Sequence, residues 1–203
     1  MSKDTSRVFS IGQQLKNIYY GAKGFVLLKK SRKYKLMNKQ LKERIMLAIT
    51  EVNGCAMCSY VHTKIALSSG MTSFEIKRIL DGDTSDIPQG EAVALMFAQH
   101  FAYTHEKPNE TTIKRLIDTY GFQKAELILA ACNMITMTNG MGTSLDYLYS
   151  RLRFKRNKRS NILYEIFNPL LTMIFFPLLV ILVYISTLFT NTKVLNRSYQ
   201  ISN

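Results

Sequence analysis

At 203 residues and 47% apolar content, the chain has room for one ordinary domain with a sizeable core, which argues for a folded rather than a disordered protein and against a second full domain. The formal charge of +13 is uneven: residues 151–203 hold eight basic residues and one acidic one, about half of the excess in the last quarter. Three cysteines, an odd number, argue against a secreted disulfide scaffold and for a reducing compartment.

The N-terminus, MSKDTSRVFSIGQQLK, is polar and charged, with no apolar run ahead of a small-residue cleavage site, so no signal peptide is expected. The basic run Lys29, Lys30, Arg32, Lys33 and Lys35 reads as a solvated helix face. From about Asn38 to Val52, the apolar residues Leu41, Ile45, Met46, Leu47, Ile49 and Val52 lie near one helical face, until Asn53-Gly54 breaks the pattern. A second helix is expected from near Cys55 to Ser68, with Gly70 as its stop. Thr72-Ser73-Phe74-Glu75 has capping-box spacing and predicts a third start, ended by Asp81-Gly82-Asp83. Further helices are predicted over about 90–105, 110–120 and 123–140, the last (AELILAACNMITMT) apolar nearly all round. Strand alternation and internal repeats are missing, so the class is all-α.

Beyond this lies a dense cluster, Arg151, Arg153, Lys155, Arg156, Lys158 and Arg159, and then an uncharged stretch from Ile166 to Thr192. Its 21 residues from Pro169 to Phe189 would span roughly 31 Å as a helix, about the thickness of a bilayer core. Pro169 suits a first helical turn, and Pro177 should kink the helix. The expected organisation is a domain over 1–150, a basic juxtamembrane linker over 151–165, a transmembrane helix over 166–190 and a short tail over 191–203. The basic cluster on the near side against Lys193 and Arg197 beyond predicts a single-pass protein with residues 1–160 in the cytoplasm. Beside such an anchor the cluster points to anionic membrane lipids rather than to nucleic acid.

The chemistry-bearing stretch is Glu43 to His62, ERIMLAITEVNGCAMCSYVH. Cys55 and Cys58, at i and i+3 on a helix start, can close a disulfide across one turn, and the helix N-terminus favours thiolate. His62, one turn after Cys58 on the same face, can take the thiol proton directly or through a water. In an antiparallel helical hairpin centred on Asn53-Gly54, Glu43 and His62 differ in height by roughly 3 Å, so Glu43 can orient the imidazole. Glu51 is nearer the turn and is the weaker partner. C-x2-C-x3-H could also supply three zinc ligands, but no second pair follows at a finger-like spacing, and no metal or bound cofactor is expected. Two inert core cysteines beside a packed histidine are the bland alternative. Cys132 reads as a buried structural thiol, and His100 and His105 as surface or packing residues.

Through K-E-R-x9-N-G-C-x-x-C-x-x-x-H-T (Lys42 to Thr63), the Ala66–Gly70 helix end, the SFEI start and Asn133 to Gly142, the chain resembles the carboxymuconolactone decarboxylase and alkylhydroperoxidase D superfamily over about 38–150. The resemblance implies an all-helical fold that assembles as a trimer or higher homo-oligomer. It further implies Cys58 as the thiol that attacks a hydroperoxide, Cys55 as the resolving thiol, and His62 with Glu43 as the proton relay. An external dithiol reductant, lipoamide- or thioredoxin-like, would reset the pair. Met57 stands where a well-known peroxidase branch has histidine, which implies a simpler proton transfer or weaker peroxidase activity. A redox sensor without turnover and a membrane adaptor are the alternatives on the same fold.

Overall fold

A computed structural model describes residues 6–189, and among these there are helices and no strand. The helices are α1 (Ile11–Ser31), α2 (Lys39–Asn53), α3 (Ala56–Ser68), α4 (Ser73–Leu80), α5 (Ala92–Tyr103), α6 (Glu110–Leu152) and α7 (Ile162–Phe189). The expected tail over 191–203, with Lys193 and Arg197, lies outside the described residues.

The core forms around α2, whose Ile45, Met46, Leu47, Ala48 and Ile49 are all fully buried against α5 and the apolar half of α6. Three of the helix starts, those of α2, α4 and α6, are capped locally. Asn38, Thr72 and Asn109 accept from the backbone N–H three residues on, at 2.6, 3.1 and 2.8 Å. For Thr72 this is one half of the expected capping box. Arg44, buried among the helices, is neutralised by Glu75 (2.6 Å) and Glu91 (2.7 Å), which ties α4 and the start of α5 to α2. The expected break at Gly121 exists: its φ of 72° and ψ of 159° separate 110–120 from the rest of α6. The second half then runs on to Leu152, well beyond the predicted end near 140.

Periodicity did not predict α1, because its buried side includes Gln14, Asn17 and Lys23. A capping box between Ser10 and Gln13 starts it, with Gln13 N accepted by Ser10 Oγ at 3.2 Å and Ser10 N by Gln13 Oε1 at 2.8 Å. Gly24 lets it press on α6, where any Cβ would meet the Ala130 carbonyl.

Helix α7 is long and apolar enough to cross a membrane. It starts at Ile162, so Pro169 lies inside it with Pro177 rather than in its first turn. Its first three turns are built into the domain: Glu165 is fully buried and holds Arg151 through two hydrogen bonds (2.5 and 2.7 Å), and Gln14 donates to Thr172 Oγ1 at 2.9 Å. Further along, Phe25 meets Phe176 edge to face (5.7 Å), and Lys30 lies over the Tyr184 ring (5.0 Å) and bonds Thr187. Residue numbers rise together along both helices, so α1 and α7 are parallel neighbours. The outer face of α7, with Met173, Ile174, Leu178, Ile181, Leu182 and Leu188, is open.

Candidate functional site

The turn between α2 and α3 sets up the cysteine pair. Gly54 caps α2 in a left-handed conformation (φ 68°), which a side chain would resist, and its carbonyl accepts from Ser6 Oγ at 2.7 Å. Cys55 is therefore the N-cap of α3, and its Sγ accepts from the Cys58 N–H at 3.3 Å. Neither cysteine is in a disulfide, and both are nearly buried, at 1% exposure for Cys55 and 7% for Cys58.

The opposite wall is α6. Cys58 Sγ lies 3.5 Å from the Thr138 carbonyl. Asn139 bridges to α2, accepting from Asn53 Nδ2 at 3.0 Å and donating to Thr50 Oγ1 at 3.1 Å. At Gly142, an added Cβ would sit 2.8 Å from both sulfurs, so the pair fits because that position has no side chain. Thr143, Asp146 and Tyr164 of α7 complete the surroundings of Cys55.

The electrostatics of the pair are asymmetric. The hydrogen bond from Cys58, backed by the α3 backbone and Thr143, holds the Cys55 thiol below its usual value despite burial and the opposing charge of Asp146. Donating that hydrogen bond, and burial, push Cys58 well up. The two shifts run in opposite directions, so Cys55 is the more acidic thiol of the pair. Asp146 is itself pushed up by burial.

His62 lies on the same face of α3, and its Nδ1 is 2.7 Å from Glu43 Oε2. Burial alone would raise Glu43, but the hydrogen bond and charge of His62, together with Lys42 at 3.2 Å, hold its carboxyl below the ordinary range. A carboxylate on Nδ1 selects the tautomer that leaves Nε2 as acceptor. No hydrogen bond joins His62 to either sulfur; its partner is Glu43. Glu51 turns instead toward the end of α4, its carboxylate 3.7 Å from where Gly82 would carry a Cβ. Cys132 is fully buried and its thiol is pushed up by burial. Among the described residues, no group of three His, Cys, Asp or Glu side chains is placed to hold a metal.

Sequence reasoning thus found the α2–α3 wall. It missed Asp146, Thr143, Asn139 and Tyr164, although the TNGMG stretch, with a glycine one turn before Asp146, was a usable signal in an otherwise apolar helix. Comparison with curated proteins gave no match, and comparison with solved structures gave none either. Residues 27–98, which contain Glu43, Cys55, Cys58 and His62, match the Carboxymuconolactone decarboxylase family model.

Proposed function

We propose that this protein is a membrane-attached thiol peroxidase that reduces hydroperoxides through a Cys55/Cys58 dithiol and disulfide cycle, reset by an external dithiol of lipoamide or thioredoxin type. The supporting observation is the buried cysteine pair at the start of α3, hydrogen-bonded through the Cys58 N–H to Cys55 Sγ at 3.3 Å, beside a His62–Glu43 pair held at 2.7 Å. Cys58, the more exposed sulfur, attacks the outer peroxide oxygen while its proton passes to the Cys55 thiolate. The O–O bond breaks, the alcohol leaves with a proton supplied through His62, and Cys58 becomes a sulfenic acid. Cys55 then attacks that sulfur, the hydroxyl leaves as water, and the disulfide is ready for the dithiol. A homo-oligomer, trimeric or higher, agrees with the open apolar face of α3, where Met57, Tyr60, Val61 and Ile65 are exposed.

Cys58→Ser should abolish hydroperoxide turnover, and Cys55→Ser should stop after one equivalent with a sulfenic acid trapped at Cys58. Turnover of cumene hydroperoxide by Cys58→Ser at the parental rate would refute the assignment. A sensor would instead stop after one oxidation of the parent even with dithiol supplied.

The same proposal has α7 cross the bilayer once, with the basic cluster on the cytoplasmic side and against anionic lipids. A second reading, favoured by the contacts of α1 with Phe176, Tyr184 and Thr187, is that the α1–α7 pair lies in the membrane interface with the open face of α7 among acyl chains. A C-terminal tag in sealed vesicles displaying the domain outward decides between them. Protection from protease means crossing, and digestion means lying flat.

A further inference from the structure

Between the end of α1, the start of α2 and α6 lies a cavity of about 380 Å³, within the roughly 300–1,000 Å³ of small-molecule sites. Its floor is apolar, formed by residues such as Phe25 and Met134, while Lys29, Arg32, Lys39 and Lys42 stand around it with no acidic side chain in the lining. Lys42 is paired with Glu43; Lys29, Arg32 and Lys39 are exposed and have no ion pair among the described residues. The first turn of α2 adds the positive end of a helix at the same place. Three unpaired like charges converging on an apolar hollow repel one another, and an anion with an apolar body relieves both the charge and the exposed floor.

We propose that this cavity binds a single-chain anionic amphiphile, with its carboxylate or phosphate head among Lys29, Arg32 and Lys39 and its apolar chain on Phe25 and Met134. The hollow is too small for both chains of a phospholipid, though one headgroup and chain could enter from a bilayer. It also adjoins the thiol site from two sides. Lys42 touches Glu43, the residue that orients His62, and Met134 is one helical turn from Thr138, whose carbonyl lies 3.5 Å from Cys58 Sγ. The cavity is thus the seat of an acidic, long-chain hydroperoxide, a substrate class that rests on the peroxidase reading. Binding by itself does not.

The test is fluorescence titration of the full chain, held in phosphatidylcholine nanodiscs, with cis-parinaric acid and its methyl ester, against empty nanodiscs. The acid should bind at least about tenfold more tightly than the ester, and Lys29→Glu with Arg32→Glu should remove that advantage. Both substitutions are at exposed positions, and an unchanged circular dichroism spectrum and thermal unfolding midpoint would report an intact fold. Equal affinity for acid and ester, or a double variant that binds as the parent does, overturns the proposal. Displacement of the probe by added oleate identifies a free acid as the ligand, and displacement by phosphatidylglycerol placed in the nanodisc identifies a bilayer lipid. Displacement by neither overturns it. Because parinaric acid carries no peroxide, a site that binds it in a protein without turnover would fail the peroxidase reading alone.

Discussion

The two walls around the cysteine pair differ in kind. The α2–α3 wall is a continuous stretch, Glu43 to His62, in which reactive side chains are placed by helical spacing and one tight turn. The α6 wall supplies almost no reactive group: its contributions are the Thr138 carbonyl, the Asn139 bridge, and the empty space at Gly142. One wall carries the titratable and nucleophilic side chains, and the other determines whether two sulfurs can lie side by side while buried. A site of this type depends as much on where a side chain is missing as on where one is present.

Breaking the first wall should have the largest effect. Glu43→Gln leaves His62 without its anionic partner, and peroxide reduction should fall about 100-fold at neutral pH. A rate within twofold of the parent would mean that His62 needs no orientation. In the parent, because Glu43 titrates below its ordinary 4.5, the stabilisation from its pair with His62 is fully present above about pH 4.5 and is lost as pH falls through the lower folded value. Acid unfolding followed by circular dichroism should therefore differ between parent and Glu43→Gln above that pH, and the curves should converge below it.

Breaking the second wall should be milder. Gly142→Ala places a methyl 2.8 Å from both sulfurs. Overpacking of this kind costs about 1–3 kcal/mol, and prising the sulfurs apart should slow disulfide formation about tenfold. Thiol counting after one equivalent of peroxide measures the second effect, and denaturant unfolding the first. Disulfide formation at the parental rate would show that the pair closes on a geometry other than the one α6 enforces.

The same contrast explains what could be read in advance. The α2 and α3 boundaries and the meeting of Glu43 with His62 follow from i,i+3 and i,i+4 spacing around Asn53-Gly54, all short-range rules. Helix α1 escaped because its buried face carries Gln14, Asn17 and Lys23; Gln14 is held by the distant Met137 carbonyl and Thr172, and Lys23 lies over the Tyr19 ring one turn back. The seating of α7 escaped for a related reason. Glu165 looks like the polar edge of an anchor until Arg151, fourteen residues back, is seen to neutralise it inside the domain. Periodicity registers apolar faces, and these faces are held by polar pairs.

The smallest expected effect sharpens the comparison most, because it tests the one ionisable group that the second wall brings to the pair. Asp146 opposes the thiolate on Cys55, and burial already pushes its own carboxyl up. In Asp146→Asn that opposition is gone, so the Cys55 thiolate should form at lower pH, seen as an acidward shift in thiolate absorbance. The neutral-pH rate of disulfide formation should rise by no more than about threefold, the size of a single partly screened charge. If the rate falls instead, Asp146 carries a proton for Cys55, and the α6 wall joins the relay rather than only shaping the space in which the relay works.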